Sequence, residues 1–434
     1  MRKAKQLVAV TVSSMLLIST LAACGGGASK ATTAAAAATT AAPAATTAAA
    51  AATTAAAATT AAPAASSAAA ATTAAAVAAG GELKVDRVTT GKQDAYIGKI
   101  PITLKHDVHG NDSKWAVKYA AAKYGAKYEV IDPDQDLNKE IAGVETFISK
   151  GVDGIILHPV DEKGVNEIIQ EARDAGVYVM TFCVKASGNK VPYLGIDEAT
   201  LAQQMGKDMA KQWTTLYPDK KVAVGLISWT NIAFCFDNRT GPFLKGVKEV
   251  VDYLPTNDWG FKNSAGENLT GATYWEHAGG DLEKAQTVTA DAITKHPEVN
   301  VVYGDNVSNG LGCVSAYEAA GRGLAKDGVP ITEVIASTDA SSGELMKIAN
   351  PSSALKYCLG MQPQTNAFAE IDMMMSIING EVSDDTYIEK TTPDVYFNYY
   401  KDSIKDMQDW FNTQYMPDKP LDLVGQFPAN KVSK

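Results

Sequence analysis

Apolar strand-like segments alternate with amphipathic helix-like segments along most of the chain from about Lys99. The first strand-like segments are IPITLKHD (residues 100–107), AKYEVID and VDGIILHP, and helical segments such as DLNKEIAGVETFISKG separate them. Strands separated by helices of this length form βαβ units with a parallel sheet. Strands that are apolar on both faces also need helices on both sides of that sheet. The alternation therefore predicts an α/β fold.

The alternation restarts at Leu201, where the helical segment LAQQMGKDMAKQWTTLYP leads into new strands such as KVAVGLIS, VNVVYGD and EVIASTDA. About 330 residues with two such sets exceed one comfortable hydrophobic core. We therefore expect two α/β lobes. Ligands of open α/β sheets bind beyond the carboxyl ends of the strands, so the cleft between the lobes is the expected site.

The N-terminus has the features of an export signal. Arg2, Lys3 and Lys5 precede the apolar run LVAVTVSSMLLISTLAAC, which is too short to be a convincing membrane span. Cys24 follows Ala-Ala and precedes three glycines, which resembles a bacterial lipobox. We expect residues 1–23 to be a lipoprotein signal peptide and Cys24 to be lipidated. An ordinary small-residue cleavage site is the alternative.

Residues 24–98 are predicted to be a tether. From residue 28 to 81 the chain is almost entirely Ala and Thr, with Pro43 and Pro63 and repeated Thr-Thr pairs that interrupt helix formation. This segment has no apolar periodicity and almost no charge, which favours disorder. Together with Cys24 it predicts a protein anchored to the outer face of the bacterial cytoplasmic membrane but held away from it.

Charge and motif content argue against several classes of protein. The chain has 39 Lys and Arg residues against 49 Asp and Glu residues, which does not suit nucleic-acid binding. It lacks Gly-x-Ser-x-Gly, His-Glu-x-x-His, a Walker loop and Cys-x-x-Cys. We therefore expect a protein that is not an enzyme and needs no cofactor. The cysteines after Cys24 are expected to be free thiols, with a Cys183–Cys235 disulfide as the alternative.

Several segments resemble ribose-type periplasmic binding proteins, the substrate-binding components of sugar ABC transporters. DPDQDLNKEIAGVETFISKGVDGIILHPVDEKGV resembles their second and third βα units, and VVYGDNVSNGLG and VIASTDASSGE resemble two later strand ends. The resemblance covers roughly residues 99–392. It implies the type I periplasmic binding protein fold, which has two Rossmann-like lobes with parallel sheets joined by three crossover strands. The crossings would fall near residues 195–197, 362–363 and 391–393.

The resemblance also implies the domain boundaries and the function. Lobe one would comprise residues 99–195 and 363–391, and lobe two residues 196–362 and 392–434 with the C-terminal tail. A monomeric lipoprotein would capture a sugar or a sugar-like small polar ligand in the cleft and deliver it to an ABC transporter permease. A ligand-sensing co-receptor for a membrane signalling protein is the alternative, because the fold permits both.

Ten residues are candidate ligand contacts. The resemblance places Asn306 and Asp339 on ligand-binding positions of the family, where an amide donates and accepts and a carboxylate accepts from hydroxyls. It also places Arg239 on a family arginine and His158 on a polar contact. The other candidates are Asp107, Trp115, Cys183, Phe236, Asp237 and Gln362.

Four residues depart from the family pattern. Cys183 and Val184 stand where its sugar binders commonly have Asp-Arg, and Asp237 stands where ribose binders have an arginine. Gly280 replaces a family aromatic, for which Trp275 would compensate. We therefore expect a ligand other than ribose, with a less polar face or with positive charge directed towards the acidic groups.

Two metal sites are less favoured alternatives to a metal-free protein. The run DPDQDLNKEIAG (residues 132–143) resembles the start of a calcium loop, but its sixth residue is Leu rather than Gly and its twelfth is Gly rather than Glu. The second candidate metal site lies at the predicted cleft and consists of His106, Asp107, His109 and His158. These residues lack the spacing that is typical of zinc sites.

Overall fold

The computed structural model describes residues 83–384 and 389–428, and every structural statement below refers to these ranges. The predicted signal peptide, Cys24 and residues 24–82 of the predicted tether lie outside them. Within these ranges, no helix combines the length and the apolar character that a membrane span requires.

Lobe one is built on a parallel sheet that has six strands in the described part of the chain. The strands are β1 (Tyr96–Ile100), β2 (Lys127–Val130), β3 (Gly154–Leu157), β4 (Tyr178–Phe182), β5 (Tyr193–Asp197) and β13 (Glu389–Pro393). Their spatial order is β13-β5-β4-β3-β1-β2. The helices of this lobe are α1 (Asp107–Tyr119), continued by a π-helical turn (Ala120–Tyr124), α2 (Leu137–Lys150), α3 (Asn166–Asp174) and α10 (Pro363–Ile378).

Lobe two has a second six-stranded sheet within the described ranges. The strands are β6 (Val224–Ser228), β7 (Ala272–His277), β8 (Val301–Gly304), β11 (Val334–Thr338), β12 (Leu355–Gly360) and β14 (Val395–Asn398). Their order is β14-β12-β11-β8-β6-β7, and β14 runs antiparallel to β12. The sheet is therefore mixed rather than wholly parallel as predicted. A short hairpin lies apart from it, β9 (Ala325–Lys326) and β10 (Val329–Pro330).

Helices pack around the lobe-two sheet and continue into the C-terminal tail. The longer helices are α4 (Ala199–Leu216), α6 (Gly241–Lys248), α7 (Leu282–Lys295), α8 (Val307–Ala319), α9 (Ser342–Ala349) and α11 (Ile404–Gln414). The short ones are α5 (Ala233–Cys235), a π-helical turn (Phe236–Thr240) and α12 (Leu423–Gln426).

The described chain passes from one sheet to the other three times. It leaves lobe one after β5 and enters α4, it returns after β12 into α10, and it leaves again between β13 and β14. Two α/β lobes joined by crossings confirm the predicted fold class. All strands but β14 are parallel to their neighbours within these two sheets, so the carboxyl ends of most strands point towards the space between the lobes.

The start of the folded part differs from the prediction. β1 is Tyr96–Ile100 rather than residues 100–107, because Pro101 has no N–H to continue the ladder. The predicted tether end at residue 98 is also wrong, since Leu83 and Ala95 are already buried. The segment that was predicted to end the first strand instead begins α1, with His106 as its N-cap.

A buried charge cluster joins three elements of lobe one. Lys99 of β1 is fully buried, and its Nζ lies 2.9 Å from Asp112 Oδ2 of α1 and also bonds Glu370 of α10. The same ammonium lies 4.6 Å from the ring centroid of Phe182. Burial and Asp112 raise the pKa of Glu370 to about 8, against the opposing effect of Lys99. The ammonium is satisfied only while both helices pack on the sheet.

We predict that Lys99→Met lowers the free energy of unfolding by about 3–5 kcal/mol, because it leaves two buried carboxyls without their cation. Urea unfolding followed by tryptophan fluorescence measures the change. Lys105→Met is the matched control, since Lys105 forms an exposed pair with Asp134 and its loss is expected to leave stability unchanged. Equal midpoints for the two variants would contradict a supporting role for the cluster.

Candidate ligand-binding site

A small cavity of about 60 Å³ lies between the two lobes. It has room for a few water molecules and is much smaller than the roughly 300–1,000 Å³ of pockets for drug-sized ligands. Lobe one contributes Ile102, His106, His109, His158, Cys183 and Val184 to its wall. Lobe two contributes Trp229, Phe234, Cys235, Arg239, Asn306 and Asp339.

Four of these residues lie at or just beyond the carboxyl ends of parallel strands. His158 follows β3 and Cys183 follows β4 in lobe one, while Asp339 follows β11 in lobe two. Asn306 lies shortly after β8, where it caps α8 by accepting from the N–H of Asn309 at 2.9 Å. Parallel strands bring their ends to one edge of a sheet, so the two sheets direct these side chains into the same space.

Asp339 bridges the lobes and still has an unsatisfied oxygen. Its Oδ2 accepts from the N–H of Val307 at 2.8 Å and lies 3.0 Å from Nε2 of His106 in lobe one. Its Oδ1 makes no hydrogen bond to any described residue and lies 3.8 Å from Nη2 of Arg239. Burial by itself raises the pKa of Asp339, but His106 and Arg239 outweigh burial and lower it. The group is therefore a charged, buried acceptor.

Arg239 uses most of its donors within the protein. Its Nε and Nη2 bond the two carboxyl oxygens of Glu198 at 2.5 and 2.8 Å, and its Nη1 donates to the carbonyl of Asp305 at 2.6 Å. Nη2 also lies 3.8 Å from Sδ of Met361. Burial and Glu198 raise the pKa of Asp394 well above its usual range, so that Asp394 is protonated beside Glu198. Arg239 lines the cavity, but its main contacts join the three crossings.

Three imidazoles form one wall of the cavity. The ring centroids of His106 and His109 are 5.0 Å apart, and those of His109 and His158 are 4.7 Å apart. Burial and nearby positive charge hold the pKa values of His109 and His158 well below the usual range, so both rings are neutral. Their Nδ1 atoms have no hydrogen-bond partner among the described residues. Each neutral ring can offer a donor or an acceptor to a ligand.

Cysteine and aliphatic side chains make another wall apolar. Cys183 and Val184 are buried, and Cys235 faces the same cavity from lobe two. All four cysteines that the structure describes are free thiols. Burial raises the pKa values of the Cys183 and Cys235 thiols, so both stay neutral. A ligand would meet hydrogen-bonding groups on one side and apolar groups here.

Trp229, not Trp275, occupies the space beside Gly280. A Cβ added at Gly280, whose φ is 74°, would come within 3.0 Å of Cζ3 of Trp229. Trp275 is buried in lobe two and donates to Oγ of Ser228 at 2.6 Å. The expectation that Trp275 compensates for the missing aromatic is therefore wrong.

Two candidates on α1 do not reach the cavity. Asp107 is exposed in the first turn of the helix, and Trp115 is fully buried, where its Nε1 donates to the carbonyl of Gln414 at 2.7 Å. Their neighbours His106 and His109 face the cavity instead. The i, i+3 spacing of these two histidines would have indicated a shared face if the start of α1 had been placed correctly.

Three further candidates also lie away from this cavity. Phe236 is buried, and its ring centroid lies 5.3 Å from that of Phe261 within lobe two. Asp237 is half-buried and accepts from the N–H of Ser264 at 2.8 Å. Gln362 is half-buried at the second crossing and donates to the carbonyl of Pro393 at 2.6 Å.

The residues weighed as a calcium loop have structural contacts. Asp136 caps α2 by accepting from two backbone N–H groups, and Asp134 pairs with Lys105. Throughout the described ranges, no group of three or more His, Cys, Asp or Glu side chains is arranged to hold a metal ion.

Glu140 of α2 holds the turn that follows His158. Its Oε2 accepts from the N–H of Val160 at 3.0 Å, and its side chain is fully buried. Burial raises the pKa of Glu140 to about 8, against the opposing effect of the Val160 hydrogen bond. The group is therefore mostly protonated at neutral pH and holds the backbone two residues after His158, which lines the cavity.

The chain matches a known protein family whose fold agrees with the two lobes described above. The sequence profile of the periplasmic binding protein domain matches residues 97–382, which is most of the folded part. The chain belongs to this family. The resemblance seen in the sequence is thereby confirmed, and the match begins within β1 and ends shortly after α10.

Two curated bacterial proteins are similar in sequence to this periplasmic binding protein. The D-ribose/D-allose-binding protein of Pseudomonas aeruginosa is 28% identical over 203 residues, which cover 44% of this chain and 55% of that protein. The ribose import binding protein RbsB of Bacillus subtilis is 24% identical over 211 residues, which cover 49% of this chain and 62% of that protein. The chain thus matches between half and two thirds of the length of these relatives.

Solved structures share the fold of this periplasmic binding protein. A Bacillus halodurans ABC transporter solute-binding protein with bound myo-inositol superposes with a TM-score of 0.56 at 15% identity, covering 75% of this chain and 100% of that one. The Caulobacter myo-inositol binding protein superposes with a TM-score of 0.54 at 18% identity, covering 72% and 95%. At these identities the likeness shows the fold alone.

We predict that Glu140→Gln stabilises the protein at alkaline pH. A buried acid with a raised pKa contributes stability that is complete below its unfolded-state value of 4.5 and is lost as the pH rises through about 8. The amide does not titrate, so the variant should melt several degrees above the wild type at about pH 9 and near it at about pH 5.

Thermal melts across this pH range measure the difference. Glu145→Gln is the matched control, since Glu145 is exposed on the same helix and its replacement should leave the pH profile unchanged. Parallel profiles for Glu140→Gln and the wild type would show that Glu140 ionises normally.

Proposed function

We propose that this protein is an extracytoplasmic solute-binding protein that captures a sugar or a sugar-like small polar ligand between its lobes. The observation that carries the proposal is the interlobe cavity, whose wall retains unsatisfied hydrogen-bonding groups from both sheets. The relatives named for ribose and allose binding support it. Delivery to the permease of an ABC transporter is the corresponding physiological role.

The chemistry of the cavity suits a compact ligand with two different sides. Oδ1 of Asp339 accepts hydrogen bonds, and His109 and His158 donate or accept, which suits hydroxyl groups. Cys183 and Val184 suit a face of C–H groups. A sugar ring or a cyclic polyol has both. The cavity as it stands is too small for such a ring, so the lobes must move apart to admit it and close less tightly around it.

The charges facing the cavity disfavour acidic ligands. Arg239 is neutralised by Glu198, whereas Asp339 presents an unsatisfied oxygen to the cavity. An anionic ligand would place like charge beside this buried carboxylate, where repulsion is poorly screened. Neutral or cationic ligands are therefore preferred, and a cationic ligand would agree with the expectation of positive charge directed towards the acidic groups.

The N-terminal sequence supplies the proposed location. Lipidation at Cys24 and the Ala- and Thr-rich tether would hold the binding lobes near the outer face of the cytoplasmic membrane. A flexible tether would let a monomeric binding protein reach a membrane-embedded permease. Closure of the lobes around the ligand would form the surface that the permease recognises.

We predict that a thermal-shift screen identifies neutral or cationic ligands. Sugars, polyols, amino sugars and sugar acids are tested at a fixed concentration, and a true ligand raises the melting temperature because it binds only the folded state. Sugar acids are expected to give no shift. Absence of a shift with every solute would refute small-molecule capture, and preferential stabilisation by the acids would refute the charge argument.

We predict that Asp339→Asn weakens binding of the most stabilising solute by about 10- to 100-fold, because a neutral amide oxygen replaces a charged acceptor and forms a weaker hydrogen bond. Isothermal titration calorimetry measures the affinity. Asp107→Asn is the control, since Asp107 is exposed outside the cavity and its replacement should leave affinity unchanged. Equal affinity of Asp339→Asn and the wild type would remove Asp339 from the site.

A further inference from the structure

The C-terminal tail, which was predicted to belong to lobe two, contacts both lobes. It is anchored in lobe two, where β14 pairs with β12 and the ring of Trp410 lies 4.9 Å from that of Phe397. From there α11 runs between two helices, packing against α9 of lobe two and α10 of lobe one. The tail therefore extends from one lobe to the other.

Two hydrogen bonds attach the end of α11 to helix α1 of lobe one. The carbonyl of Gln414 accepts from Nε1 of Trp115 at 2.7 Å, and the N–H of Met416 donates to Oδ1 of Asn111 at 2.8 Å. Trp115 is fully buried, so this indole N–H would lose its partner if the tail moved away. Helix α1 is also the element that carries His106 and His109 into the cavity.

Tyr415, which lies between Gln414 and Met416 in the chain, forms a hydrogen bond to lobe two. The hydroxyl of Tyr415 donates to the backbone carbonyl of Asp339 at 2.9 Å, and its ring stacks on Phe411 with centroids 4.4 Å apart. Tyr415 is buried but does not line the cavity. Three consecutive residues thus contact lobe one, lobe two and lobe one in turn.

The backbone at Asp339 needs such support. Asp339 has a φ of 108° and Ala340 a φ of 53°, and two successive non-glycine residues with positive φ are sterically unfavourable. Conformations of this kind persist only where surrounding contacts hold them. Tyr415 bonds the carbonyl of the first of these residues, whose carboxylate faces the cavity.

We propose that residues 404–416, the C-terminal strap, are a fourth connection between the lobes that favours closure and holds Asp339 in place. Tyr415 is a positioning residue, which acts on the ligand through Asp339. When the lobes separate, either the Tyr415 bond to lobe two or the bonds to Trp115 and Asn111 must break. The inference rests on the proposed function only in taking Asp339 as a ligand contact.

The test measures the distance between the lobes without any added solute. Spin labels are attached through an unnatural amino acid at Ser149 in lobe one and Lys295 in lobe two, both of which are exposed. Double electron–electron resonance then gives the ratio of open to closed forms. Tyr415→Phe and Asn111→Ala should each raise this ratio by about 2- to 10-fold, as expected for the net loss of one hydrogen bond between the strap and a lobe.

Tyr274→Phe is the matched control. The hydroxyl of Tyr274 is buried 3.3 Å from that of Tyr317 inside lobe two, so its loss should affect the melting temperature but leave the interlobe distances unchanged. Unchanged distances in both strap variants, or equal broadening in the control, would overturn the proposal. If the Tyr415→Phe variant does not fold, the Asn111→Ala variant by itself tests the proposal. Asn111 is only half-buried, so its replacement disturbs the packing of lobe one less. The result stands whether or not the solute screen finds a ligand.

Discussion

A buried ion pair between Arg239 and Glu198 joins the segments that connect the two lobes. Glu198 lies directly after the first crossing, and Arg239 also reaches Met361 at the second. The protonated carboxyl of Asp394, at the third crossing, lies beside Glu198. Two buried charges that satisfy each other are tolerated, whereas either alone would carry a large desolvation cost. The three crossings are therefore held together at one point, next to the cavity.

This constraint determines which groups remain for a ligand. Because Arg239 is bonded to Glu198, polar recognition falls mainly to Asp339 and the neutral imidazoles. Glu344 adds little negative charge near neutral pH, since burial raises its pKa to about 8, whereas His106 and Arg239 keep Asp339 ionised. One carboxylate in apolar surroundings makes stronger hydrogen bonds than it would in water.

The sequence predicted those residues of the site that lie at the ends of strands. The alternation of segments indicated the strand ends, and the family resemblance selected His158, Asn306 and Asp339 there as ligand contacts. All three line the cavity because each lies at or near the end of a parallel strand. The sequence did not predict which aromatic residues face the cavity. Trp229 and Phe234 do and Phe236 does not, because this depends on how each ring packs against neighbours distant in sequence.

The sequence by itself determined the two α/β lobes, since the period of apolar residues sets helices and strands through contacts between near neighbours. The tertiary structure alone decided the pairing of Glu198 with Arg239, which are 41 residues apart, and the contact of His106 with Asp339 across the cavity. It also decided that the C-terminal tail reaches lobe one. These contacts depend on the relative orientation of two sheets, which no local pattern of residues specifies.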